Sequence, residues 1–240
     1  MLAALLRQNP RFHADIESPL AELFTSFEAA MGADRETAIL LNKNRRANIL
    51  RGIVDGFYRD NKKPVIFDTH RGWSARIPTI AELYPDAKVI LCIRELGWVI
   101  DSLERLHQHN LQQPNATLGW RSGGTVFDRT NLWMNSNGLV GFCCNAVMEA
   151  ASGDQSKVML IDYEHLCRDP RAELSRLYEF IGESPYRHDF KEFFFESQRF
   201  DERIGLPGMH TVSGPVAWRP RKSILPAQLF HSINAKNFWR

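Results

Sequence analysis

The sequence predicts an α/β fold with a parallel central sheet flanked by helices, and three observations carry that prediction. Residues 64–67, 88–93 and 157–161 are short apolar runs bounded by polar or turn-forming residues, as buried strands are. Helix-like stretches alternate with them, a β-α-β-α series that favours parallel pairing through right-handed crossovers. Each strand also runs into functional side chains: Asp68, Thr69, His70 and Arg71 after the first, Arg94 after the second, Asp162, Tyr163 and Glu164 after the third. Open parallel sheets bind ligands beyond those carboxyl ends. A chain of 240 residues with 44% hydrophobic residues can bury a sizeable core, and a single domain over 1–240 is expected.

In chain order, residues 2–8 form the remainder of an apolar helix, stopped at Asn9-Pro10 because proline disfavours helix for the residue before it. Ser18-Pro19 supplies a cap and a proline at the first helical position, so a helix is expected over 20–31. Residues 35–59 continue as one long amphipathic helix or two shorter ones. Helices over 75–84 and 99–108 follow the first two strands. Residues 109–130 are polar and Gly-rich, and long loops of this kind serve as lids or binding segments; the acceptor, or the partner subunit of a homodimer, is expected to meet them. A helix over 139–151 precedes the third strand and one over 171–181 follows it. The tail is less regular. Its string over 205–226, GLPGMHTVSGPVAWRPRKSILP, gathers glycines, hydroxyls and the cations Arg219, Arg221 and Lys222.

Composition excludes several classes. Thirty Lys+Arg against 28 Asp+Glu give a formal charge of +2, too small for a broad nucleic-acid or membrane footprint, so an anion site has to be local. Cys92, Cys143, Cys144 and Cys167 lack CxxC spacing; reduced, mostly buried thiols are expected, and with them a cytoplasmic location. No metal is implied, since His107 and His109 stand two apart on a helix and do not share a face. No apolar run approaches the ~20 residues of a membrane span, and the opening MLAALLRQNP is too short for a signal peptide.

The spacing Arg94-x7-Ser102 in KVILCIRELGWVIDS is followed, roughly 55 residues on, by VMLIDYEHLCRDPRAELSRLYEFIG with its Tyr163-Glu164-x-Leu166-x-x-x-Pro170 element. Together they resemble the sulfotransferases that use 3′-phosphoadenosine 5′-phosphosulfate, and most closely the branch of tyrosylprotein sulfotransferases and bacterial relatives. The resemblance runs from residue 1 to the 226 region. It implies a P-loop NTPase-like fold, the phosphosulfate as co-substrate without a metal, and a hydroxyl-bearing acceptor, small molecule or peptide. It also implies that Arg94 and Ser102 hold the 3′-phosphate, that Tyr163 lines the adenine pocket, and that Arg219, Arg221 and Lys222 close over the nucleotide. An Arg fork and a hydroxyl do suit a phosphate. The plainer alternatives are Arg94 paired with Glu95 or Asp101, Ser102 facing solvent, Tyr163 in the core, and a solvated basic run.

For the base that takes the acceptor proton, the same resemblance offers two residues. Glu17, in PRFHADIES, matches the catalytic glutamate of the tyrosylprotein branch; His70, in DTHRGW, falls where the small-molecule branch keeps its histidine. Histidine titrates near neutrality, whereas a glutamate needs partial burial to do so; Glu17 is slightly favoured because its flanks resemble that branch more. Thr211 or Ser213 matches a serine near the sulfate. The family lysine would fall at Asp68 or Thr69, neither cationic, leaving Arg71 or Arg76 to substitute. The family's Pro-Lys/Arg-x-Gly-(Ser/Thr)-(Ser/Thr) loop, whose N–H groups cradle the 5′-phosphosulfate, has no match here. Residues 1–6 align just after it, so the chain is expected to begin inside the first helix, either downstream of the true start or as a shortened form lacking the first strand and phosphate loop. A shortened form would suit a second class, a degenerate, non-catalytic nucleotide-binding or interaction module. A kinase is disfavoured because no GKT or GKS string is present.

Overall fold

Local side-chain hydrogen bonds mark several element starts in the first of the two units into which the chain divides, Met1–Val89 and Ile90–Arg240. The computed structural model describes residues 1–32, 35–120 and 124–239. Helix α1 (Leu2–Leu6) buries Ala4, Leu5 and Leu6. Strand β1 (Phe12–Ala14) follows a turn in which Asn9 Oδ1 accepts from the Arg11 N–H. Helix α2 (Leu20–Ala30) starts where the Ser18 hydroxyl accepts from the Leu20 N–H. The amphipathic stretch beyond it divides into α3 (Glu36–Leu40) and α4 (Lys43–Phe57), because Asn42 caps the second helix by accepting from Arg45 N–H.

Strand β2 (Val65–Phe67) lies parallel to β1, with Phe12 opposite Val65 and Ala14 opposite Phe67. A 3-10 turn over Arg71–Ala75 and helix α5 (Ile77–Leu83) complete the unit. Phe24, Met31, Leu50 and Leu83 form its core, with Trp73 and Tyr84 packed against them. Strand β1 was not expected from the sequence, since three residues are too few to display a period of two.

Strand β3 (Val89–Ile93) starts at the last residue of the first unit and lies otherwise in the second, which also contains α6 (Leu96–His109), α7 (Val126–Met134), α8 (Gly141–Ala151), β4 (Val158–Asp162), α9 (Tyr163–Arg168), α10 (Pro170–Ile181), β5 (Phe194–Phe195), α11 (Gln198–Arg203), β6 (Val212–Ser213) and α12 (Ala227–Asn234). The mixed α/β fold is the one the alternation predicts. Among the described residues, strand pairing takes the form of three two-stranded sheets, β1 with β2, β3 with β4, and β5 antiparallel to β6. Leu96, Ile100, Leu118, Trp133, Val140, Leu225 and Ile233 make one core cluster.

Helix α6 begins three residues before the sequence suggests. Its first N–H groups find acceptors far along the chain, Leu96 N on Asn237 Oδ1 (3.0 Å) and Gly97 N on Asn234 Oδ1 (2.7 Å), and no local cap residue signals the start. Helix α7 occupies part of the stretch over 109–130, opened by a Thr125–Asp128 capping box; residues 121–123 of that stretch lie outside those described. Cys92, expected to be buried, faces outward because Leu91 and Ile93 on either side take the inward positions of β3. No described helix is long and apolar enough to cross a membrane.

The glycine-rich tail string is seated against the segment before the 3-10 turn over Ala116–Leu118. The Ala116 N–H donates to the Ile204 carbonyl at 3.0 Å. Gly205 has a φ of +75°, and a Cβ there would stand 2.2 Å from the Pro114 carbonyl oxygen. Gly205→Ala therefore combines left-handed strain with a backbone clash and is expected to cost at least about 2 kcal/mol. Thermal denaturation checks this, and an unchanged melting temperature would remove Gly205 from the seat of the tail.

Candidate functional site

Arg94 follows β3 directly, ahead of α6. Its guanidinium lies over the ring of Tyr163, with Cζ 4.3 Å from the centroid. Its Nε is buried without a hydrogen-bond partner. Burial pushes the Arg94 pKa down, the Tyr163 phenol opposes that, and the charge of Arg221 adds to it. Arginine stays charged in proteins, so a cation with unmet donor capacity is held here. Tyr163 opens α9 because β4 passes straight into that helix, whose first N–H groups, Glu164 and His165, donate to Asp162 Oδ1 at 2.7 and 3.4 Å. Burial, then Cys167, pushes the Tyr163 phenol up, while Arg94 and Arg221 pull it down. Trp218 meets Tyr163 edge-on at 6.4 Å, and Arg168 lies over Trp218 at 5.6 Å.

Helix α6 supplies the other wall. Trp98, Asp101, Ser102 and Arg105 have the spacing of one helix face. Asp101 is fully buried, yet it receives Ile224 N (2.8 Å), Arg105 Nε (2.9 Å) and Ser223 Oγ (3.0 Å), and it pairs with Arg221 Nη2 at 2.7 Å. Burial alone would push its carboxyl up; the bonds from Ile224, Arg105 and Ser223 and the charge of Arg221 together hold it below its ordinary value. Arg221 also lies over the Trp98 ring at 5.6 Å. Two guanidiniums, from Arg105 and Arg221, thus hold one carboxylate, and its charge reaches Arg94 at longer range.

The structure brings Arg94, Tyr163 and Arg221 together. Ser102 is exposed on the Asp101 face of α6. Arg219 and Lys222 also have exposed side chains, and Lys222 contributes its carbonyl to Arg105 Nη2 at 2.7 Å. Ser213 is exposed on β6 opposite Phe194. Sequence reasoning named Asp101 only as a plain partner for Arg94 and passed over Trp218; the one signal for a buried Asp101 was an acid set within the apolar run of an amphipathic helix. It also passed over Asp201, a buried carboxylate that holds His210 through the backbone N–H (2.8 Å) and Nδ1 (2.5 Å).

In the first unit, the parallel register sends the chain out of β1 and β2 at the same edge, and Glu17 and His70 each stand three residues beyond the Ala14–Phe67 pair. Glu17 is half-buried in the turn before α2. His70 caps the 3-10 turn, its Nδ1 accepting from Gly72 N–H at 3.0 Å, while Nε2 stands 3.8 Å from Glu22. Burial, then the charge of Arg71, lowers the His70 pKa against the pull of Glu22 and Asp68. Asp68 is occupied by Tyr58 and Trp73, each donating at 2.5 Å, and Arg76 by Glu28 at 2.9 Å. A cleft of about 350 Å³ between α4 and α5, lined by Leu41, Arg46, Leu50 and Leu83, contains none of these candidates.

A family model described as the sulfotransferase family matches residues 1–187. No curated protein matches the chain. A solved sulfotransferase domain from the curacin biosynthetic pathway aligns at 17% identity with a TM-score of 0.47, over 78% of this chain and 70% of that one.

Proposed function

Because the chain belongs to the sulfotransferase family, we propose that it moves a sulfuryl group from 3′-phosphoadenosine 5′-phosphosulfate to a hydroxyl of a small-molecule or peptide acceptor. The supporting observation is Arg94, half-buried, with its guanidinium over an aromatic ring and its buried Nε unpartnered, in a cluster where cations outnumber carboxylates. Such a cation suits a phosphate, which offers several acceptor oxygens to one fork. In this reading Arg94 and Ser102 hold the 3′-phosphate, Arg221 adds a second cation, and Tyr163 with Trp218 faces the adenine. Arg219 and Lys222 contribute long-range attraction.

Transfer is an in-line displacement. The acceptor oxygen forms a bond to sulfur as the bond from sulfur to the 5′-phosphate oxygen breaks, and the electron pair leaves with that phosphate. The hydroxyl proton passes to a base, for which Glu17 is preferred and His70 is the alternative. Ser213 is assigned a hydrogen bond near the sulfate.

Calorimetric binding of adenosine 3′,5′-bisphosphate tests the donor assignment. Arg94→Ala is expected to lose about 1.5–3 kcal/mol, on the order of ten- to a hundredfold in affinity. Equal affinity in wild type and variant would defeat it. Nucleotide binding with no sulfuryl transfer to any hydroxyl would point instead to a non-catalytic nucleotide-binding module.

A further inference from the structure

The C-terminal segment that begins at Trp218 meets the anion site at three points. Trp218 touches the ring of Tyr163, Arg221 lies over the ring of Trp98, and Arg221, Ser223 and Ile224 all converge on one carboxylate, Asp101. Asp101 belongs to α6, the helix that follows Arg94 and carries Ser102. Its full burial makes its bonds strong and their loss consequential. A lone arginine on a tail segment would sample many rotamers in solvent. Fixed on a buried carboxylate and an indole face, it presents its remaining donors in one direction.

We propose that Asp101 is a positioning residue for the donor site, holding Arg221 and the segment behind it so that a second guanidinium joins Arg94 at the 3′-phosphate. The proposal rests on the donor reading given above. Arg105 shares Asp101 through Nε at 2.9 Å and ties the Lys222 carbonyl through Nη2, so the carboxylate keeps a cation even when Arg221 turns part of its fork toward a bound anion. Asp101 touches no substrate atom; its effect passes through Arg221.

The test compares two nucleotides that differ only at the position concerned. Adenosine 3′,5′-bisphosphate and adenosine 5′-monophosphate are titrated into wild type, Arg94→Ala, Arg221→Ala, Asp101→Asn and the Asp101→Asn/Arg221→Ala double variant. Asp101→Asn keeps an oxygen for Ser223 and Ile224 and removes the charge that holds Arg221. Asp101→Asn and Arg221→Ala are each expected to weaken the bisphosphate by about tenfold while leaving the monophosphate within about twofold. The double variant is expected to bind no worse than Arg221→Ala, because two changes acting through one group do not add.

Loss of both nucleotides in equal measure in Asp101→Asn would mean a merely structural role and would overturn the proposal, as would fully additive losses. Should Asp101→Asn fail to fold, Arg221→Ala, which changes a partly exposed side chain, decides the matter by whether it discriminates against the 3′-phosphate. If Arg94→Ala weakens the bisphosphate while Asp101→Asn and Arg221→Ala do not, only the positioning role falls. If Arg94→Ala also binds as wild type, the donor reading falls and takes the positioning role with it.

Discussion

Glu17→Gln is expected to lower the rate of sulfuryl transfer by roughly a hundred- to ten-thousandfold, the usual contribution of a general base, while leaving adenosine 3′,5′-bisphosphate affinity unchanged. What the His70 ring is already doing argues against it as the base. In the 3-10 turn, His70 Nδ1 accepts the Gly72 N–H, so the basic lone pair of the neutral ring is in use and the ring proton resides on Nε2, on the side of Glu22. Taking a proton at Nδ1 would forfeit that cap. Burial and Arg71 also disfavour the imidazolium. His70→Gln is therefore expected to behave as a lost cap, costing about 1 kcal/mol of stability, with a far smaller loss of turnover than Glu17→Gln. Turnover with a generic phenol acceptor separates the two. Full activity in Glu17→Gln together with collapse in His70→Gln would reverse the assignment.

Much of this molecule was legible in the sequence, for reasons that can be stated. The strands at 64–67 and 88–93 differ from β2 and β3 by one residue, because short apolar runs between polar turns have few other uses. The family resemblance assigned Arg94 to the 3′-phosphate with Ser102 and Tyr163 to the adenine pocket; in the structure the Arg94 guanidinium lies over the Tyr163 ring. What the sequence could not display was any property created by distant residues. Asp101 in an amphipathic helix looks like a surface acid, and it is buried only because residues 221–224 fold over it.

The three tail cations looked equivalent on paper. The fold gives them different tasks, with Arg221 on the buried carboxylate and Arg219 and Lys222 toward solvent. Strand β1 and helix α9 were missed because three and six residues are too short for a periodicity. Asp162, just before the Tyr163 it helps to place, was the cap signal that could have revealed α9.

Arg129→Met is expected to be the most destabilising single change, because it strands a buried charge on α6, the helix of the proposed donor site. Glu104 of α6 is 1% exposed and takes both Arg129 Nε (2.8 Å) and Arg129 Nη2 (2.6 Å), a bidentate pair that joins α6 to α7. Removing one partner of such a pair costs about 3–5 kcal/mol, since the remaining carboxylate has been desolvated without compensation. Gln108 Nε2, 3.1 Å from Glu104 Oε1, offers only a neutral bond. Replacing both charges, as Glu104→Leu/Arg129→Met, is expected to recover most of the loss, because well-packed apolar side chains of similar volume substitute for buried pairs at little cost.

His107 provides an independent check. Burial and then Arg129 lower its pKa below the ordinary 6.5, while Glu104 raises it. In the wild type, protonation of His107 is therefore easier in the unfolded chain, and stability falls as pH drops below that value. Without Arg129 the repulsion is gone and Glu104 still attracts, so the folded pKa rises and that acid loss shrinks. The destabilisation caused by Arg129→Met should accordingly be smaller near about pH 5.5 than near about pH 7.5. Urea denaturation at both pH values measures it; a penalty independent of pH, or a double variant no better than the single one, would mean that charge burial is not what Arg129 relieves.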